Sequence, residues 1–174
     1  MELTQKLEAE FSSDFEKNAQ SVLLKKLYGK IWAVDINLTS ENMAQLEKMP
    51  ETLRNIALAT LESMLLMISE RGIFMLNPGK EDMRAFYRII DESSNAVSIF
   101  AVPTNGKAGK ELILSFTESH MIMDSKAASS PKIYFTEASP NQLNENQANA
   151  LEERLKETAL QFMGEMTDAL KKIF

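Results

Sequence analysis

Between residues 73 and 136 the chain carries six short strand-like segments, at 73–76, 84–91, 96–102, 111–117, 119–123 and 132–136. The connectors hold turn formers: Asn77-Pro78-Gly79, Glu92-Ser93-Ser94-Asn95, Thr104 to Gly109 and Ser125 to Pro131. A parallel return needs a crossover of about a dozen residues or more, so neighbouring strands are expected to be antiparallel. Leu112, Leu114 and Phe116 alternate with Ile113, Ser115 and Thr117, which predicts a sheet covered on one face and partly wet on the other.

Helical patterns flank this block. Leu3, Leu7, Phe11 and Phe15 recur every four residues, and Val22, Leu23, Leu27 and Tyr28 resume the stripe, predicting an N-terminal helix over 2–28. Ser12-Ser13-Asp14 lowers helix propensity in its middle, and Gly29 stops it. Trp32, Val34, Ile36 and Leu38 alternate with polar or small residues, as in a strand over 30–38. Thr39-Ser40 caps a short helix at 41–48, and Pro50 opens a longer one over 51–71. From Ile56 to Ile68 that segment is apolar on most sides, which reads as a central, buried helix. After Ser139-Pro140 an amphipathic pattern over 144–173 steps through Leu151, Leu155, Ala159, Phe162 and Met166. At 174 residues the chain suits a single domain. The expected fold is α+β: an antiparallel sheet of six to seven strands with helices on one face. Residues 1–28 supply the N-terminal amphipathic helix, 30–140 the sheet with helices 41–48 and 51–71, and 141–174 the long C-terminal amphipathic helix.

Charge narrows the partners. The net charge is −6 and no segment is basic, which disfavours both nucleic acid and an anionic membrane surface. No apolar run reaches the roughly 18–20 residues of a membrane-spanning helix. Met1 to Lys6 lacks the basic and apolar blocks of a secretory signal, so a cytoplasmic location is expected. With no cysteine, neither a disulfide nor a thiolate nucleophile is available.

Chemistry-bearing motifs are few. His120 is the single histidine. On a strand it would share a face with Glu118 and Asp124, while Ser119 would point to the opposite face, so no Ser–His dyad is expected. Gly106-Lys107-Ala108-Gly109-Lys110 lacks both the spacing and the following hydroxyl of a phosphate-binding loop, and Asn105-Gly106 reads as a hairpin connector. Glu81-Asp82, Asp91-Glu92 and Glu152-Glu153 fall in turns or on helix surfaces, as solvated charges do. No catalytic group, cofactor or metal is therefore expected.

The first functional reading is a non-enzymatic protein-binding module: an adaptor, an assembly subunit or a chaperone-like dimer. Its composition resembles that of small acidic chaperones of bacterial secretion systems. Leu3, Leu7, Phe11 and Phe15 are the partner-binding residues of this reading. With three helices competing for one sheet face, the N-terminal stripe would need a second copy or a partner protein to cover it. Deleting residues 1–28 would then leave a folded core. Methionines such as Met64, Met67, Met163 and Met166 would fill the core or offer adaptable apolar surface. The alternative is a binder of a small apolar ligand. From Lys30 onward the order of elements resembles that of helix-grip proteins, which wrap a curved sheet around a C-terminal helix; the resemblance implies an enclosed apolar cavity.

Overall fold

The structure, a computed structural model, describes residues 3–41, 47–77, 82–125 and 132–154. Its centre is a closed antiparallel barrel in which eight strands follow one another in sequence order. These are β1 (Ile31–Val34), β2 (Leu65–Ile68), β3 (Ile73–Leu76), β4 (Met83–Glu92), β5 (Ala96–Pro103), β6 (Lys110–Phe116), β7 (Met121–Ser125) and β8 (Ile133–Ala138). Strand β1 closes the ring by pairing with β2 on one side and β8 on the other, with Val34 opposite Phe135. The helices are α1 (Leu3–Phe11), α2 (Phe15–Ala19), α3 (Ile36–Glu41), α4 (Glu51–Ser63) and α5 (Glu145–Arg154). Among the described residues no helix is long and apolar enough to cross a membrane.

The expected open sheet of six to seven strands with helices on one face is thus replaced by a closed barrel. The antiparallel pairing expected for the middle strands is present, and Asn105-Gly106 joins β5 to β6 with Gly106 at φ +87°. The added strand comes from the segment expected to be the end of a central helix. Leu65, Leu66, Met67 and Ile68 are all buried, because this strand is covered on both sides. Leu66 and Ile68 face the barrel interior, while Leu65 and Met67 face outward beneath α1. A strand covered on both faces loses its period-two signature and cannot be told from a buried helix by pattern. The helix accordingly ends at Ser63, and α4 buries none of its residues fully. The strand expected over 30–38 is also shorter. It stops at Val34, and Ile36 already belongs to α3.

The N-terminal segment is not one helix. A turn of 3-10 helix at Ser12–Asp14 separates α1 from α2, where the polar triplet interrupts the stripe. A second such turn at Leu24–Lys26 precedes Gly29, whose φ of +75° takes the chain into β1. Leu7 and Phe11 of α1 pack on the outside of the barrel with Leu65, Met67, Phe74, Leu76 and Phe86. The Arg88 guanidinium lies 4.4 Å from the Phe11 ring centroid and faces Asp14 at 3.6 Å, pinning α1 to β4. A closed barrel presents outer surface all round, so the helices do not compete for one face.

The C-terminal helix begins where expected. Asn144 Oδ1 accepts the Gln147 N–H at 2.8 Å and Gln147 Oε1 accepts the Asn144 N–H at 3.1 Å, a reciprocal cap on α5. Leu155 and Phe162 lie outside the described residues, as does most of the short helix expected at 41–48.

Candidate functional site

Alternation along the strands sends one set of side chains inward, and in this barrel that set is almost wholly apolar. Trp32, Leu66, Ile73, Ala85, Tyr87, Ile99, Leu112, Leu114, Met121 and Phe135 share one core cluster. The intervening outward positions include Arg84, Arg88, Glu111 and Asp124. A barrel built to sit in a membrane shows the reverse pattern, polar within and apolar without.

The two ends of the interior differ. One end is plugged by Leu23, Leu24 and Leu27, which belong to the same core cluster as the strands. Polar groups seal it. The Tyr87 hydroxyl donates to the Ser69 carbonyl at 2.7 Å, and the Tyr28 and Tyr87 hydroxyls are 2.8 Å apart. The Asn18 amide donates to the Glu70 and Tyr87 carbonyls. Burial pushes both tyrosine hydroxyls well above the usual tyrosine range, so they remain neutral hydrogen-bonding groups.

At the other end, where β4, β6 and β8 begin, the described residues leave the interior unfilled. A cavity of about 210 Å³ is lined by Met64, Ile73, Met75, Met83, Ala85, Ala101, Pro103, Lys110, Leu112, Met123 and Ile133. One cause is visible. Ala85 and Ala101, on adjacent strands, are too small to reach the axis. Four of the lining residues are methionines, whose flexible unbranched chains can adapt to what lies beside them. Met64 enters from the end of α4, just before β2. Eight strands give an interior just wide enough to be filled by side chains or to hold one small ligand. An apolar cavity of about 150 Å³ is enough to bind benzene.

A larger hollow of about 350 Å³ lies between α4, β8 and the start of α5. Its amide side chains are already committed to the chain's own backbone: Gln142 accepts from the Ser139 N–H, and Gln147 bonds both Asn144 and the Glu62 carbonyl. It offers little unsatisfied polarity to a ligand.

His120 is placed differently from the sequence expectation. Residues 117–120 form the turn between β6 and β7, and there Ser119 Oγ lies 2.7 Å from His120 Nδ1. The dyad excluded on strand geometry therefore exists, because a turn does not keep the alternation of a strand. The carboxylate partner is neither Glu118 nor Asp124 but Asp35, whose Oδ2 is 2.8 Å from His120 Nε2. Asp35 also caps α3. Its Oδ1 accepts the Leu38 N–H at 3.1 Å, and its carbonyl accepts the Thr39 N–H at 2.9 Å. A cleft of about 270 Å³ beside this triplet is lined by Lys26, Lys30, Trp32 and Phe116. Hydroxyl, imidazole and carboxylate in line are able to pass a proton. Acyl transfer further needs donors aimed at an oxyanion. Two backbone N–H groups of the turn are already taken, Thr117 by the His120 carbonyl and His120 by Thr117 Oγ1. The contact ties the β6–β7 hairpin to the corner between β1 and α3.

The hydrogen bond from His120 is the main cause holding the Asp35 carboxyl below the usual carboxylate range. A carboxyl depressed in the folded state contributes stability above its unfolded value, near pH 4, and loses it as pH falls through the folded value. Asp35→Ala should cost about 1 kcal/mol at pH 7 from the lost cap. In urea titrations the gap between wild type and variant should narrow below about pH 4; a gap that stays constant to pH 2 would show that the pairing with His120 contributes nothing.

The residues expected to bind a partner are divided. Leu7 and Phe11 are buried against this chain's own barrel, at 7% and 1% exposure, Phe15 packs at the edge of the same cluster, and Leu3 is 41% exposed. The cavity was not legible as a site, since its lining comes from six strands and the end of α4, and nearly every residue reads as ordinary core. Comparison with known protein families, with curated proteins and with solved structures finds no match to this chain, so its function is argued from the barrel and the cavity at its mouth.

Proposed function

We propose that this protein binds one small apolar molecule inside its barrel. The observation that carries the reading is the apolar cavity of about 210 Å³ that the described residues enclose at the end away from the leucine plug. Binding there removes apolar ligand surface from water without unpairing any buried polar group, and preformed apolar cavities of this kind take small aromatic molecules. The volume lies below the roughly 300–1,000 Å³ of pockets for drug-sized ligands, so the occupant is about one ring in size. Adaptable methionines suit ligands of varied outline. No catalytic step belongs to this reading.

Titration of the full chain with indole, followed by the methionine methyl resonances, tests it. Saturable shifts are expected at Met64, Met75, Met83 and Met123. Ala101→Leu should abolish them and raise stability by about 0.5–2 kcal/mol, as cavity filling does. Destabilisation by about 1–3 kcal/mol would mean that the site is already packed and would refute the reading.

The protein-binding reading ranks second. Its support in the structure is on α4, where Leu53 and Ile56 are 56% and 57% exposed, three residues apart on one helix.

A further inference from the structure

Lys110 stands apart in the cavity lining as the single charged residue among ten uncharged ones. It is exposed, yet its place on the strand belongs to the cavity wall. It is the first residue of β6 and belongs to the inward set with Leu112, Leu114 and Phe116, opposite Ala101 of β5. Lys110 therefore marks the boundary between the dry lining and water, where a long stem can lie along apolar surface while the ammonium stays wet. The described residues supply it no ion pair: the pairs among them involve Lys30, Arg88 and His120. The chain as a whole carries −6, so a cation at this mouth runs against the overall charge.

We infer that the cavity takes a monoanionic amphiphile: a carboxylate on an apolar body about the size of one substituted ring, the body among the methionines and the charge at Lys110. This inference rests on the cavity being a ligand site. The volume sets the body, since about 210 Å³ exceeds by roughly one small group the 150 Å³ that accommodates benzene. The lining sets its chemistry, because it presents thioethers and hydrocarbon that favour an uncharged, polarizable group. The rim sets the other end. A carboxylate there meets an ammonium still in contact with water, so neither ion must be stripped of its hydration. Such a half-exposed pair adds selectivity more than affinity.

Phenylbutyrate and its uncharged counterpart phenylbutyramide separate the two contributions. Each would be titrated by calorimetry into the full chain, wild type and Lys110→Glu, with Ala101→Leu as the blocked control. Wild type should bind the carboxylate about threefold to fivefold more tightly than the amide, with the preference shrinking as salt is raised. Lys110→Glu should reverse the order, with the larger loss falling on the carboxylate. Equal binding of both compounds by wild type and Lys110→Glu, still blocked by Ala101→Leu, would overturn the charge assignment and leave the cavity reading standing. Absence of binding by either compound to wild type would overturn both.

Discussion

Deleting residues 1–28 is expected to leave no folded barrel. Leu23, Leu24 and Leu27 are at most 3% exposed and plug one end of the interior, in contact with strands from around the ring. A buried Leu→Ala change costs about 2–5 kcal/mol, and removing three whole leucines approaches or exceeds the 5–15 kcal/mol that holds a typical domain together. The deletion also removes Asn18 and the Tyr28 hydroxyl, leaving the Glu70 and Tyr87 carbonyls and the Tyr87 hydroxyl short of partners. Residues 29–174 should show collapsed amide dispersion and no cooperative urea transition. A dispersed spectrum with a sharp transition would mean that the barrel closes without its plug, as the sequence pattern on its own led one to expect.

Phe11→Ala carries the second largest effect, about 3–5 kcal/mol for a fully buried aromatic. The ring is 1% exposed, stacks with Phe86 at a centroid distance of 6.2 Å and lies under the Arg88 guanidinium. Its removal opens a void between α1 and the outer face of β4 and unseats Arg88 from its place between the ring and Asp14. Chemical denaturation should report the loss with an unchanged slope, since the barrel would still unfold as one unit. A cost below about 1 kcal/mol would show that α1 is undocked in solution. In that case its stripe of Leu3, Leu7, Phe11 and Phe15 would be free for a partner.

Much of the local structure was legible because its causes are local. Asn105-Gly106 needs only its own backbone freedom to turn, and Gly29 only its positive φ. Ser12-Ser13-Asp14 breaks a helix wherever such a triplet disturbs the stripe. The last helix starts near Asn144, after Ser139-Pro140, as its pattern predicts. Strands β5 and β6 alternate because only their inward side is fully covered.

The candidate site was not legible, for two separate reasons. A cavity is defined by atoms that are missing, and no residue type announces it; Ala85 and Ala101 read as ordinary small residues until adjacent strands set them diagonally on one cavity wall. The Asp35–His120 contact joins residues 85 positions apart, and no spacing rule reaches that far. In the sequence Lys110 closes a glycine-bounded stretch without the spacing of a phosphate loop, whereas its place in the cavity wall comes from the inward register it shares with Leu112.

By itself, then, the sequence determined an antiparallel succession of strands with its turns and breaks, together with an apolar set large enough for one core. Each of these follows from interactions within about a dozen residues, where chain connectivity keeps the alternatives few. Thr39-Ser40, expected to cap a helix at 41–48, lies instead inside α3, behind the Asp35 cap. Tertiary structure alone decided that the sheet closes, that 65–68 is a strand and that the N-terminal leucines plug the interior. Closure pairs Val34 with Phe135, a contact whose loop entropy is repaid only when every intervening strand is in place. Once α1 covers the outer face of β2, both faces of that strand are buried, and the alternation that would have revealed it is erased.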